Sequence, residues 1–102
     1  MNTFVLTYSF VPNMLERRAP HRDAHFAHLE KAVAEDHLIL AGPFDDPYDG
    51  GMLLVRFNSR GEVMDWAAQD PYIKAGLAVE VSVRPFTIVM AEPALAALVS
   101  PR

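Results

Sequence analysis

Three of the chain's four histidines, His21, His25 and His28, stand at i, i+4 and i+7 in a segment with helical apolar spacing. Imidazole titrates close to neutrality, so a row of three calls for an acid–base explanation, a metal, or plain solvation. On a helix the three rings lie along one side, flanking a stripe of Phe26, Leu29 and Val33. His25 is nearest that stripe and His28 farthest from it. His25 is therefore expected at the border of core and solvent, where a side chain can face a pocket. A half-buried histidine bonded to backbone or water is the alternative reading of the same spacing.

Asp70 is the second candidate. It falls seven residues after Val63, on the inward side of a second helix, at the end where the helix dipole disfavours a carboxylate. A neighbouring imidazolium would offset that. Asp followed by Pro71 is also an N-cap and N1 pair, so Asp70 is equally read as the cap of a short turn from Pro71 to Lys74, and the two roles are compatible. Histidines at i and i+4 can chelate, but there is no His-Glu-x-x-His pattern and no cysteine to complete a metal site. No serine sits in a Gly-x-Ser-x-Gly elbow and no glycine-rich nucleotide loop occurs. Neither a metal nor a cofactor is expected.

These side chains must be placed by six elements. Phe4, Leu6, Tyr8 and Phe10 alternate with Val5, Thr7 and Ser9, which predicts a first strand over Thr3 to Phe10. Pro12, Asn13 and Glu16-Arg17-Arg18 interrupt the chain before a helix from about Pro20 to Asp36. Leu38 to Ala41 reads as a second strand ended by Gly42-Pro43, and Met52 to Phe57 as a third. Ser59 and Glu62 have the spacing of a capping box, opening a helix that turns Val63, Trp66 and Ala67 inward and ends near Asp70. A fourth strand runs from Val79 to Val83 and on through Phe86 to Met90. Residues 1–90 are read as one domain, and 91–102 as a tail with a short helix between Pro93 and Pro101.

The order is βαββαβ, an α+β ferredoxin-like fold with a four-stranded antiparallel sheet and both helices on one face. Leu38, Ile39, Leu40 and Leu53, Leu54, Val55 are apolar at successive positions, whereas a sheet with one wet face should alternate. Something covers the second face. With no spare helix, an identical sheet is the simplest cover, so a homodimer with a cavity at or near the interface is expected.

Composition narrows the function classes. At 102 residues, 51% hydrophobic and 22% charged, the chain suits one folded domain. A net charge of −4 gives no footprint for nucleic acid or anionic membrane. The N-terminus lacks a secretory pattern and no apolar run reaches membrane length, so a cytoplasmic protein is expected.

The chain resembles the YciI-like (YCII-related) family of small bacterial proteins through Glu16-Arg17-Arg18, Arg22-x-x-His25 with Leu29, Leu38 to Pro43, Trp66-Ala67, Asp70-Pro71-Tyr72, Ala75-Gly76 and Val81 to Phe86. The resemblance covers most of residues 3–90. It implies a dimeric α+β barrel with a His–Asp pair in a cleft, here His25 and Asp70 as the catalytic residues. It also implies that Arg22, one turn before His25, holds an anionic substrate group, that Ser82 contributes to substrate binding, and that His21 and His28 face solvent. Most members have no assigned reaction, and one is a dehydrochlorinase of a chlorinated hydroxyquinol. The connection Phe44 to Gly51 is shorter here than in many relatives and is expected to rim the cleft.

The resulting expectation is a cofactor-independent enzyme, with His25 as general base or acid and Asp70 fixing its tautomer, performing elimination or isomerisation on a small metabolite. A non-catalytic ligand-binding or protein-interaction module is the alternative. A His25–Asp70 hydrogen bond opening onto an apolar pocket favours the enzyme.

Overall fold

The alternating N-terminal pattern forms strand β1 (Asn2–Phe10), which buries Phe4, Leu6 and Tyr8 on one face. The computed structural model describes residues 1–100. Strand β1 lies between β3 (Gly50–Phe57) and β4 (Ala78–Pro85), while β2 (Leu38–Pro43) joins the far edge of β3. All pairs are antiparallel and the order is β2-β3-β1-β4, the expected ferredoxin-like sheet. Opposite Phe4 and Leu6 stand Val55 and Leu53 of β3, and opposite Leu6 on the other side stands Val83 of β4. Helices α2 (Arg22–Ala34) and α3 (Arg60–Ala68) close over this face, adding Ala32, Val63 and Ala67 to the core.

Local chemistry sets the boundaries. Ser59 caps α3 by accepting from the Glu62 amide at 3.2 Å. Alanine at Ser59 should cost about 1 kcal/mol, seen as a fall of roughly 4–8 °C in the thermal midpoint of a domain this size. Helix α4 (Pro71–Lys74) follows, and Gly76 ends it at φ 72, a conformation that glycine adopts without strain. Gly50 lets β3 approach β1 closely, because a Cβ there would lie 2.5 Å from the Tyr8 carbonyl oxygen.

Two expectations are corrected and a third is met. Strand β4 stops at Pro85 instead of reaching Met90: Pro85 pairs with Phe4 but has no N–H to give the ladder, and the Phe86 amide still reaches the Thr3 carbonyl. The short helix expected after Pro93 is present as a 3-10 helix, Pro93–Leu98, capped by Glu92, and the last two positions of the expected tail lie outside the described residues. The segment read as an interruption contains a short helix α1 (Met14–Arg17), entered through Asn13 at φ 62 and pinned by buried Met14.

The other sheet face carries Val5, Met52, Leu54, Leu40 and Val79 in register, with Leu40 45% exposed. Among the described residues no helix is long and apolar enough to cross a membrane.

Candidate active site

Helix α2 is rotated relative to the expected stripe. Phe26 and Val33 are exposed, and the buried positions are His25 and Ala32, with His28 and Leu29 half-buried beside them. Ring partners across the helix interface explain the rotation. His25 stacks on Tyr72 with centroids 3.7 Å apart and planes 8° from parallel, and His28 stacks on Trp66 at 4.7 Å and 19°. An apolar count along the helix weighs only hydrophobicity, and two flat stacks reward the histidine side instead.

His25 Nδ1 lies 2.7 Å from Asp70 Oδ1, and the same oxygen accepts the Tyr72 amide at 2.9 Å. Asp70 thus caps α4 and partners His25 with one atom. Both residues are buried, at 6% and 2% exposure. A carboxylate only accepts, so Nδ1 carries the proton, and in the neutral ring Nε2 presents its lone pair. Among the described residues Nε2 has no hydrogen-bond partner, and His25 forms part of a cleft wall.

That cleft has a volume of about 190 Å³. Helical residues His25, Phe26, Leu29 and Tyr72 form one side, and Ala41 to Pro43 with Gly51 at the end of the sheet form the other. Tyr8, Phe10, Arg18 and Tyr48 complete it. Arg18 Nη1 donates to the Tyr48 hydroxyl at 2.8 Å. Burial raises the Tyr8 pKa far above its ordinary 10, helped by the Asp70 carboxylate, and burial also raises Tyr72 despite the nearby Arg18 and Arg22 charges. Both hydroxyls stay protonated and neutral.

Arg22 is exposed at the start of α2, its guanidinium 4.4 Å from the centroid of the Phe26 ring, and it does not line the cleft. Ser82 is also outside the cleft. It pairs with Thr7 on the opposite face of the sheet, because Val83 takes the inward position opposite Leu6. The cleft residues that sequence reasoning did not single out are Arg18, Tyr48, Tyr8 and Tyr72. Arg18 and Tyr72 lay within quoted motifs and Tyr8 at an inward strand position, but nothing in the turn-rich segment around Tyr48 signals its direction.

His28 does not face solvent as the resemblance implied. Burial against Trp66 lowers its pKa below the ordinary 6.5, outweighing the opposing pull of Asp70. The unfolded chain then binds a proton here more readily than the folded one, so this contribution to stability is intact above about pH 6.5 and declines as pH falls below it. Replacing His28 by glutamine should flatten the acid side of the stability curve in urea unfolding between about pH 5 and 7. His21 is half-exposed before α2, and His37 bonds the Arg56 carbonyl through Nδ1 at 2.8 Å and stacks on Phe57. Among the described residues, no three His, Cys, Asp or Glu side chains converge as a metal ion would require.

A YCII-related domain model matches residues 2–87. An uncharacterized protein of Haemophilus influenzae is 37% identical over 92 residues, covering 81% of this chain and 94% of its own. Protein YciI of Escherichia coli O6:H1 is 37% identical over 81 residues, covering 71% of this chain and 83% of its own. Among solved structures, 5-chloro-2-hydroxyhydroquinone dehydrochlorinase (TftG) from Burkholderia phenoliruptrix AC1100, in complex with 2,5-dihydroxybenzoquinone, superposes with a TM-score of 0.73 at 26% identity, covering 84% of this chain and 94% of that one. With the fold and most of the chain's length matched, this protein belongs to the YCII-related domain family.

Proposed function

We propose that the cleft performs general acid–base catalysis, elimination or isomerisation, on a small cyclic metabolite. The observation that carries this reading is the buried 2.7 Å bond between His25 Nδ1 and Asp70 Oδ1, which leaves Nε2 as the proton acceptor on a mainly apolar cleft. A proton leaves a substrate O–H or C–H bond for Nε2, and the bonding electrons stay on the substrate. Asp70 faces the imidazolium so formed and offsets its charge. The electron pair then expels a leaving group or shifts a double bond, and Nε2 returns the proton to the leaving group or to another atom. The similarity to a dehydrochlorinase that binds a dihydroxybenzoquinone supports an elimination on an oxygenated ring.

Two assays test it: chloride release from 5-chloro-2-hydroxyhydroquinone, and deuterium uptake from D2O into a panel of hydroxyquinols, cyclic enols and butenolide lactones, followed by NMR. Activity above the protein-free rate in either is expected. Silence across the panel in both would leave a ligand-binding module as the better reading.

The same proposal includes a second copy of the chain on the other sheet face, where Leu40, 45% exposed, stands opposite Leu54. Placing a charge in that patch with Leu40→Glu should shift the wild-type dimer toward monomer in sedimentation velocity. A wild-type chain that sediments as a monomer at micromolar concentration would remove the dimer from the proposal.

A further inference from the structure

We propose, resting on the acid–base reading above, that Arg18 and Tyr48 form an oxyanion-binding pair in the cleft, so that the ligand is held and reacts as a single-ring phenolate or enolate. Arg18 Nη1 donates to the Tyr48 oxygen at 2.8 Å, so Tyr48 accepts with that oxygen and keeps its own proton to donate. Both side chains line the same cavity as His25. Among the described residues no arginine or lysine is bridged to a carboxylate, so the half-buried Arg18 guanidinium has no carboxylate partner of its own. A charged fork beside a mainly apolar cavity is matched to an anionic oxygen from the ligand.

Charge bookkeeping leads to the same pair. When a substrate O–H or C–H bond gives its proton to His25 Nε2, the new N–H bond creates an imidazolium, and Asp70 already faces it. The electron pair left behind places a negative oxygen on the substrate. Tyr8 and Tyr72 stay neutral and supply no positive charge. Arg22 is exposed, over the Phe26 ring and off the cleft wall. Arg18 is the cation on the wall, and Tyr48, already bonded to it, keeps a hydroxyl proton to offer the same oxygen. Size sets the ring count: a protein cavity of about 150 Å³ holds benzene, and this one is about 190 Å³.

The test uses 4-nitrophenol, whose phenolate absorbs where the phenol does not, and nitrobenzene as an uncharged ligand of nearly the same shape. Wild-type protein should bind the phenolate in preference to the phenol, moving the probe's ionisation to lower pH. Arg18→Met and Tyr48→Phe should each weaken phenolate binding on the order of 10- to 100-fold, the scale of one hydrogen bond to a charged group. Nitrobenzene affinity should not change. Arg18→Lys, which keeps the charge and loses the fork, should fall between and guards against a misfolded methionine variant. Equal losses for both probes, a larger loss in Arg22→Met than in Arg18→Met, or wild-type binding of the neutral phenol alone would overturn the pair. Proton exchange bears on the catalytic reading separately: phenolate preference without exchange would reject His25 catalysis and leave Arg18 and Tyr48 as the oxyanion site.

Discussion

Asparagine and alanine at position 70 should give two different failures. Both hydrogen bonds at this site end on Oδ1, from His25 Nδ1 at 2.7 Å and from the Tyr72 amide at 2.9 Å. Asparagine keeps an acceptor oxygen there, so the α4 cap, the His25 orientation and its tautomer all persist. What disappears is the negative charge opposite the imidazolium. Asp70→Asn should therefore fold, with a stability loss of about 1–2 kcal/mol from exchanging charged for neutral hydrogen bonds, and should lose a large part of its proton-exchange activity. Asp70→Ala removes the acceptor as well. It strands a buried His25 N–H and a buried Tyr72 amide at roughly 1–3 kcal/mol each, on top of a lost N-cap. Against a total stability of about 5–15 kcal/mol, that sum is enough to unfold a weakly stable domain. Urea unfolding with the exchange assay on both variants separates the two roles. Equal stability in both would show that the cap contributes little, and full activity in Asp70→Asn would show that charge does not matter.

That a single oxygen serves as cap and partner explains why Asp70 was readable in two ways from the sequence, and why both were right as geometry. The sheet was readable because its information is local: alternation in β1, the Ser59 cap and the Asp70-Pro71 break each act within a few residues, whereas pairing with β3 carries β2 through Gly42 and Pro43, where a stop was expected. The orientation of α2 was not. Its inward face depends on Trp66 and Tyr72, which are 38 and 47 residues away from His28 and His25, and stacked imidazoles look polar to any hydrophobic stripe. Arg22, which the resemblance implied as the holder of an anionic group, lies off the cleft wall for a related reason. One turn before His25 is the natural place for a helper on the same helix, but Arg22 leans outward over Phe26. Arg18 instead enters from the end of α1, a helix whose four residues carry no periodic signal. Ser82 was a matter of phase. Strand β4 has a register shift against β1 between Thr7 and Ser9, with Glu80 at φ 52, and only the paired register shows which of Ser82 and Val83 turns inward.

Alanine at position 25 should lower turnover by about 10²- to 10⁴-fold, the usual worth of a positioned general base, and the missing ring should be replaceable from solution. Truncation leaves a gap shaped by Tyr72 on its flat side and Asp70 at one edge, continuous with the cleft. It also leaves a buried carboxylate holding only the Tyr72 amide, so a stability loss of about 3–5 kcal/mol is expected, as when one member of a buried pair is removed. Free imidazole fits both features: its flat face can stack on Tyr72 and its N–H can meet Asp70 Oδ1. The second nitrogen then stands where Nε2 stood. Imidazole should thus restore exchange to His25→Ala in a saturable way. 1-Methylimidazole has similar basicity and shape but no N–H for Asp70, so it should rescue poorly. In the double variant His25→Ala, Asp70→Asn the preference for imidazole should persist, because an oxygen acceptor remains, while the rescued rate falls with the lost charge. Equal rescue by the two imidazoles in His25→Ala would mean that Asp70 does not orient the base, and no rescue beside a retained fold would place the role of His25 in the stack on Tyr72 instead of in proton transfer.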